Sequence, residues 1–303
     1  MEIGWIVFAI AVFVSLFLDL FVFHRNPHKV SLKEALLLSF FWIGLGLGFG
    51  VYVFLSKGNT AGIEYLTGYL LEKSLSIDNI FVFVLIFSYF QVPEELKHKV
   101  LFYGVLGAIV FRGIFIFAGL ELVQKFHWIT YIFGIILIIS AVKLLTTEEK
   151  KFEPEKSIVM KITKKFFKVS NDYDGDKFFT KIDQKTHITP LFLALIFVEL
   201  SDIMFAIDSV PAILAISKDQ FVVYTSNIFA ILGLRSLYFA TSGVLSLFRY
   251  LHYGLSFILG FIGLKMLMAG FYKIPVLVSL SVIVSAVIVS ILASLVVGKD
   301  RKS

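Results

Sequence analysis

The 303-residue chain is 58% hydrophobic and only 17% charged, with 34 phenylalanines and a mean hydropathy of +0.89. A water-soluble domain of this length would carry more charge, so the composition indicates a polytopic helical membrane protein. The absence of cysteine excludes disulfides and thiolate metal sites, and all six histidines fall in connections or near span ends, which argues against a zinc site inside the membrane.

Apolar runs separated by short polar connections predict nine transmembrane helices in chain order. The predicted spans are 3–23, 32–55, 62–90, 99–122, 127–146, 189–216, 220–243, 251–271 and 274–298. The first run has no basic leader and no small-residue cleavage site, so we expect a retained span and not a signal peptide. The predicted fold class is therefore all-α, a polytopic membrane bundle of about nine transmembrane helices.

The second span carries four glycines at alternate positions, Gly44, Gly46, Gly48 and Gly50. Small residues spaced by four allow two membrane helices to approach each other closely. We expect this span to pack tightly against a neighbour, and packing alone accounts for the pattern.

Lysine and arginine are distributed unevenly between the two sets of connections. Nineteen fall in one set, which includes 147–188 and the C-terminal tail, whereas the opposite set holds only Lys57, Lys125, Lys218 and Lys273. The positive-inside rule then places the N-terminus outside and the C-terminus in the cytoplasm. Because topology explains the net charge of +6, no nucleic-acid partner is expected, and the lipid bilayer is the expected surrounding.

The long connection 147–188 is rich in Lys, Glu and Asp and falls on the cytoplasmic side by this count. We expect a small helical or partly ordered flap. Asp172, Asp174 and Asp176 resemble the start of an EF-hand loop, but the sixth position is Lys177, where that loop requires glycine. A solvated acidic turn is therefore preferred over a calcium site.

Two of the apolar runs carry acidic residues at a matching spacing. Glu72 and Asp78 lie six residues apart in the third span, and Asp202 and Asp208 lie six apart in the sixth, which also contains Glu199. Ionisable side chains at membrane depth are costly and usually functional. We therefore treat the two segments as one paired site.

Neutral oxygen donors accompany these acids, namely Asn79, Ser201, Ser209 and, in the seventh span, Asn227. An all-oxygen set suits a hard divalent cation such as Mn²⁺, Mg²⁺ or Ca²⁺. The same carboxyl groups could carry protons, because desolvation favours the neutral acid and a bound cation favours the charged form. Metal and proton would compete for one site, which is the physical basis of an antiport.

Basic residues within the predicted spans offer a structural alternative. They are Lys73, Arg112, Lys143, Arg235 and Lys265. Five acids and five bases could neutralise one another as buried pairs that only fix helix positions. We favour that role for the bases, whereas the clustering of the acids favours a functional role for them.

The two acid segments begin units that match over three spans each. Arg112 and Lys143 follow the first segment at a separation of 31 residues, and Arg235 and Lys265 follow the second at 30. Because each unit has an odd number of spans, the second copy is inverted, as in many secondary transporters. The predicted organisation is two N-terminal helices (1–60), repeat A (61–146), the cytoplasmic loop (147–188), repeat B (189–272) and a last helix with its tail (273–303).

The geometry of an ideal helix limits this arrangement. Residues six apart are separated by about 120° around the helix axis, so each acid pair could share a face only if its helix unwinds. Pro211 is placed to break the sixth span close to Asp208, whereas the third span has no comparable breaker.

Four longer motifs resemble a known family. They are Glu-Lys-Ser-Leu-Ser-Ile-Asp-Asn (72–79), Tyr-Gly-Val-Leu-Gly-Ala-Ile-Val-Phe-Arg (103–112), Val-Glu-Leu-Ser-Asp-Ile-Met-Phe-Ala-Ile-Asp-Ser-Val-Pro-Ala (198–212) and Thr-Ser-Asn-Ile-Phe-Ala-Ile-Leu-Gly-Leu-Arg (225–235). The chain resembles the TerC family, in its Alx-like branch, along nearly its whole length. This resemblance implies an inner-membrane protein related to the LysE-type exporters that exports Mn²⁺ as its transported substrate and has no permanent cofactor.

The resemblance also implies which residues hold the metal. The family's intramembrane acids map onto Glu72, Asp78, Glu199, Asp202 and Asp208. From the sequence itself we predict five supporting residues beside them, Asn79, Ser209, Asn227, Arg112 and Arg235. Family names also refer to tellurium resistance and redox modulation, for which this sequence offers neither a thiol nor a cofactor motif.

Two alternatives from other classes remain at this point. The chain could be a membrane scaffold, assembly factor or redox-stress modulator whose intramembrane acids are structural ion pairs. An intramembrane aspartyl protease is disfavoured because none of the membrane aspartates lies in a Gly-x-Gly-Asp context, so we expect no enzymatic activity.

Overall fold

The structure is a computed structural model that describes residues 2–19, 30–146, 154, 157–241 and 250–297. Within these residues the chain is almost entirely helical. The helices are α1 (Glu2–Phe17), α2 (Leu32–Lys57), α3 (Asn59–Tyr89), α4 (Glu94–Lys125), α5 (Ile129–Thr146), α6 (Ile158–Phe166), α7 (Pro190–Leu214), α8 (Gln220–Leu232), α9 (Leu234–Thr241), α10 (Leu251–Leu267) and α11 (Val276–Val297).

Several of these helices can cross a bilayer by length and composition. Five in the described chain qualify, and a sixth qualifies if the α8–α9 pair, bent by 40°, counts as one span. The five are Leu32–Lys57, Glu94–Lys125, Ile129–Thr146, Pro190–Leu214 and Val276–Leu295. Two further apolar helices, Ile3–Phe17 and Leu251–Leu267, are shorter, and α3 is long but carries four charged residues. An integral helical membrane protein is therefore supported, whereas the count of nine spans stays a prediction.

Local sequence signals explain where several helices begin. The Ser31 hydroxyl accepts a hydrogen bond from the backbone N–H of Glu34 at the start of α2, and the Asp219 carboxylate accepts from the N–H groups of Phe221 and Val222 at the start of α8. A single residue, Gly58, joins α2 to α3 with a φ of +88°, a conformation that side chains with a Cβ rarely adopt.

Two of the four glycines in α2 serve helix packing. A Cβ on Gly46 would lie 2.6 Å from the ring of Tyr69, and a Cβ on Gly50 would lie 2.9 Å from the ring of Tyr65. The Tyr65 hydroxyl also donates to the carbonyl oxygen of Gly46 at 2.9 Å. These glycines are one helical turn apart, so they let α3 approach one face of α2, as the spacing predicts.

The bundle places α3 and α7 at its centre. Helix α3 packs against α2, α7 and α8, helix α4 packs against α7 and α8, and α5 packs along α10. The α5–α10 contact is close enough for backbones to meet, because a Cβ on Gly134 would lie 2.9 Å from the carbonyl oxygen of Gly263 and a Cβ on Gly263 would lie 2.8 Å from that of Gly134.

The connection between α5 and α7 contains more regular structure than expected. Besides α6, it forms a three-stranded sheet of β1 (Lys168–Val169), β2 (Phe179–Ile182) and β3 (Lys185–Ile188). The order is β1-β3-β2, with β1 parallel and β2 antiparallel to β3. A helical segment was expected here, but the sheet was not, because its strands are only two to four residues long.

The flap formed by residues 157–188 is attached to the ends of the membrane helices. The Tyr173 hydroxyl donates to the carbonyl oxygen of Phe90 at 2.7 Å, and Lys99 forms an ion pair with Asp176 at 2.8 Å. The hydrogen bond from Lys99 holds the pKa of Asp176 below its ordinary value, so this pair stays charged at neutral pH. In the EF-hand-like segment, Asp174 accepts from Thr180 and Lys177, which agrees with a solvated acidic turn.

One sequence-based expectation about helix breaks is wrong. Pro211 lies inside α7, which runs without interruption to Leu214, and α3 is also continuous through both of its acids. The break in the central region lies instead in the seventh span, at Gly233 between α8 and α9. A Cβ there would lie 2.7 Å from the Cβ of Trp42, so the packing of α2 requires a glycine.

Candidate functional site

A fully buried arginine joins four helices at the centre of the bundle. The Arg112 guanidinium of α4 donates to both carboxylate oxygens of Asp202 on α7, from Nε at 3.0 Å and from Nη2 at 2.7 Å. Its Nη1 forms an ion pair with Glu72 of α3 and a hydrogen bond at 3.3 Å with Oδ1 of Asn227 of α8. The amide nitrogen of Asn227 donates in turn to Glu72 at 2.9 Å, which closes the network.

The burial and charge of this network are unusual for a membrane interior. Arg112 and Asn227 are 0% exposed, Glu72 is 1% exposed and Asp202 is 3% exposed. Two carboxylates therefore share one guanidinium, so the charged forms leave one negative charge in excess. An uncompensated charge in such surroundings costs several kcal/mol, which a proton or a cation could offset.

Glu199 lies one helical turn before Asp202 on α7. Its carboxylate packs directly against α4 at Gly107, where a Cβ would collide with it. The Oε2 atom of Glu199 is buried without a hydrogen-bond partner among the described residues. A third acid thus stands beside the Arg112 network with an unused acceptor.

The second acid of each segment does not join Arg112. Asp208 accepts a hydrogen bond from the Ser140 hydroxyl of α5 at 2.5 Å, and Asp78 forms no ion pair with Arg112. Across the described chain, no three Asp, Glu, His or Cys side chains lie close enough together to form a metal-binding group. The structure therefore brings Glu72 and Asp202 together on one arginine and keeps Asp78 and Asp208 apart from them.

Two neutral side chains next to these outer acids are buried without partners. Asn79, which follows Asp78, is 1% exposed, and neither its amide oxygen nor its amide nitrogen has a partner among the described residues. Ser209, which follows Asp208, is 2% exposed and its hydroxyl has none either. Buried polar atoms are nearly always hydrogen-bonded, and these two unpartnered side chains occupy matching positions, one residue after Asp78 and one residue after Asp208.

Arg235, the counterpart of Arg112 in the second predicted repeat, has a different partner. Its guanidinium forms a buried ion pair with Asp19 near the end of α1 and donates to the carbonyl oxygen of Asp19 at 3.0 Å. A small cavity of about 10 Å³ lies between this pair and the Arg112 network and is lined by Asp202 and Arg235. That volume is about enough for one water molecule.

Sequence reasoning missed Asp19 in this region and did not predict what Lys73 and Gly107 contact. Asp19 lies at the end of an otherwise apolar run, and its isolated charge was the available signal. Lys73 lies next to Glu72, and its ammonium group donates at 3.0 Å to the carbonyl oxygen of Ala230 just before the break at Gly233. Gly107 gave no signal, because its role depends on which side chain faces it.

The fold and this buried network define an integral membrane protein with a charged centre formed by four helices. The family model described as "Integral membrane protein TerC family" matches residues 57–302, so the chain belongs to the TerC family. A membrane protein of Myxococcus xanthus is 48% identical over 293 residues, covering 97% of this chain and 91% of its own length. A Photorhabdus laumondii protein named as a candidate membrane-bound redox modulator, Alx, is 42% identical and covers 98% of this chain and 96% of its own length.

Other relatives of similar length occur in Rickettsia, including a membrane protein of Rickettsia bellii that is 42% identical over 97% of both chains. No solved structure matches the chain.

Proposed function

We propose that this chain exports a divalent metal cation, with Mn²⁺ as the first candidate, in exchange for protons. The observation that carries the proposal is the excess of buried carboxylates over buried bases around Arg112. Glu72 and Asp202 share the Arg112 guanidinium, and Glu199 lies one helical turn before Asp202, against Gly107. With the ammonium group of Lys73, which donates to Ala230, this region holds three carboxylates and two bases. A membrane interior does not tolerate the remaining negative charge unless a cation or proton occupies it. Carboxylates that must always bind either a metal cation or a proton can exchange one for the other.

The oxygen donors favour a hard cation. Glu199 has an unused carboxylate oxygen, and the unpartnered side chains of Asn79 and Ser209 add neutral oxygens on α3 and α7. Carboxylate and neutral oxygens are preferred by Mn²⁺, Mg²⁺ and Ca²⁺, and the chain has no cysteine for softer metals. Asp78 and Asp208, one residue before these neutral donors, are the acids that we assign to a cation on its way to or from the centre.

The same proposal includes two inverted repeats, α3–α5 and α7–α10, with α8 and α9 as the two halves of one span. In support, Glu72 and Asp202 hold equivalent positions in the two units and meet on one arginine. Gly134 and Gly263 also make a reciprocal backbone contact between the third helices of the units. Transporters built this way bind their substrate where the repeats meet. In this arrangement the chain lies in the inner membrane with its N-terminus outside and its C-terminus in the cytoplasm.

Transport in proteoliposomes tests this function. Purified protein is reconstituted with a pH-sensitive dye inside, and uptake of Mn²⁺, Mg²⁺, Ca²⁺ and Zn²⁺ is followed together with the proton signal. The wild-type protein should transport Mn²⁺ across the membrane in one direction and protons in the other. Asp78→Ala and Asp208→Ala should abolish metal movement while each protein still inserts, whereas Asp174→Ala in the flap should behave as wild type. Absence of divalent-cation flux in the wild type, or normal flux in both membrane variants, would refute the proposal.

A second candidate function follows from the same network. Arg112 already satisfies Glu72, Asp202 and Asn227, which is what a structural ion-pair cluster requires. The chain would then be a membrane scaffold or a redox-stress modulator, and its Photorhabdus relative is named as a candidate redox modulator. Exchange of the charges in the double variant Arg112→Glu, Glu72→Arg distinguishes the two. A scaffold should recover function in the double variant, and a transport site should not, because the cation would meet a relocated guanidinium.

A further inference from the structure

Helix α6 of the flap has an apolar side that the protein covers only in part. On this side, Met160 is 2% exposed and belongs to the same buried apolar cluster as Phe87 and Leu191 of the bundle, and Thr163 is 7% exposed. Ile162 and Phe166, four residues apart and therefore on one face, are 51% and 72% exposed. Phe167, which follows the helix, is 50% exposed. The apolar surface of α6 thus extends beyond its contact with the bundle.

The opposite side of α6 is basic. Lys161 and Lys165, four residues apart, lie on it, Lys164 lies at its edge next to Met160, and Lys168 follows in β1. A short helix with a broad apolar side and a lysine-rich side has the composition of helices that lie in the plane of a membrane surface. Long lysine side chains can keep their stems beside apolar surface while the ammonium groups reach the phosphate level.

The position of α6 is at the level where the spans leave the membrane. A groove between the flap and the bundle is lined by Met160 and Lys164 on one side and by Tyr89, Phe90 and Pro190 on the other. Tyr89 ends α3 and Pro190 begins α7, so the groove lies at the ends of two central helices. Aromatic contacts of Phe178 with Tyr103 and Phe192 add the kind of aromatic cluster that is typical of a membrane–water boundary.

We propose that α6 docks on the membrane that the chain itself spans, with Ile162 and Phe166 inserted among the lipids and the lysines bound to anionic headgroups. The buried part of the apolar side continues directly into the exposed part, and at this depth the medium beside the bundle is the headgroup layer. Anionic lipids complement the lysines in charge, and each lysine near such a surface contributes to attraction that salt weakens. The flap is in this way fixed to both the bundle and the bilayer.

Spin labels on single cysteines test this docking in the full chain, which has no cysteine of its own. Variants Ile162→Cys and Phe166→Cys are labelled in nanodiscs of either zwitterionic lipid or a mixture with phosphatidylglycerol. Accessibility of the label to oxygen, which partitions into lipid, is compared with accessibility to a water-soluble nickel chelate. Thr186→Cys on the flap serves as the aqueous reference and Leu292→Cys on α11 as the lipid reference, since both side chains are exposed.

Labels at 162 and 166 should resemble the lipid reference in phosphatidylglycerol nanodiscs and move toward the aqueous reference in zwitterionic ones. Replacing Lys161 and Lys165 by Gln should remove this dependence on lipid charge, whereas Gln at Lys181 and Lys185 on the β2–β3 hairpin should not. Labels as accessible to the chelate as Thr186→Cys in both membranes would overturn the proposal. If the labels at 162 and 166 were equally buried in lipid in both membranes, the proposed binding of the lysines to anionic headgroups would be overturned.

Discussion

Arg112 is the residue on which the buried network depends, because it binds two carboxylates and one amide from three other helices at once. Its planar guanidinium matches both oxygens of Asp202 and still reaches Glu72, a geometry that lysine cannot reproduce. In a transporter, a cation that binds Glu72 or Asp202 must share them with this guanidinium or displace it. Arg112 would then compete with the transported cation for the carboxylates of Glu72 and Asp202.

Replacing Arg112 by Gln should therefore separate binding from transport. Glutamine retains hydrogen-bond donors but removes the positive charge, so the apparent affinity for Mn²⁺ should rise, by about tenfold if about 1.4 kcal/mol of competition is lost. Transport should become slower because release is harder. Titration calorimetry and proteoliposome flux measure the two effects, with Arg235→Gln as the control that removes a buried arginine outside the network. Weaker Mn²⁺ binding in a folded Arg112→Gln protein would contradict this role.

Gly107 determines how closely the carboxylate of Glu199 can approach α4. Because a Cβ on Gly107 would collide with that carboxylate, Gly107→Ala should push the Glu199 side chain out of its position without changing any charge. We expect the apparent KM for the transported cation to rise about tenfold, equivalent to about 1.4 kcal/mol, with little loss of stability. Gly44→Ala is the matched control, because a Cβ there has no atom within 4 Å. Equal KM values in the two variants would exclude Glu199 from the cation path.

Among the secondary-structure elements, the break between α8 and α9 shows how tightly the centre is packed. Gly233 lies against Trp42, and Lys73 donates to the last turn of α8 just before the break. The lysine thereby satisfies a carbonyl oxygen close to a helix end that water would otherwise satisfy. Two neighbouring elements, α2 and α3, thus fix where the seventh span bends.

Substitution of Gly233 by Ala should destabilise the bundle. A Cβ would lie 2.7 Å from the Cβ of Trp42 and 3.2 Å from the ammonium nitrogen of Lys73, and overpacking of this kind costs about 1–3 kcal/mol. The melting temperature in detergent should fall by several degrees relative to wild type. Gly260→Ala provides the comparison, because its Cβ would meet only an ordinary contact at 3.7 Å from Ala141. An unchanged melting temperature for Gly233→Ala would show that Trp42 moves aside freely.

The sequence predicted some of these elements well and others poorly, for physical reasons. Apolar runs located most helices, and the small-residue spacing in α2 indicated the contact that Gly46 and Gly50 make. The break was assigned to Pro211 because proline is the residue that usually interrupts a helix. Helix α7 tolerates Pro211 near its C-terminal end. The bend at Gly233 arises from packing against Trp42 of another helix, and such a contact cannot be predicted from the residues around Gly233.

At the scale of the whole molecule, the prediction that the two acid segments meet was correct for one residue of each. Glu72 and Asp202 share Arg112, but the sequence could not tell that Arg235 would pair with Asp19, since that choice depends on where α1 lies. The separation of Asp78 and Asp208 from the network follows from continuous helices, which turn residues six apart toward different neighbours. The remaining whole-molecule prediction is the orientation of the bundle in the membrane.

Orientation can be measured because the chain contains no cysteine. Lys218, in the connection between α7 and α8, belongs to the sparsely charged side, whereas Thr186 lies on the flap that belongs to the lysine-rich side, and both are exposed. By the positive-inside rule, a membrane-impermeant maleimide should label Lys218→Cys on intact cells and should label Thr186→Cys only after the membrane is opened. The two residues flank one helix, α7, so a single crossing accounts for the difference. Labelling of Thr186→Cys on intact cells, with Lys218→Cys protected, would mean that the lysine-rich flap faces outward and that transport in the proposed direction runs into the cell.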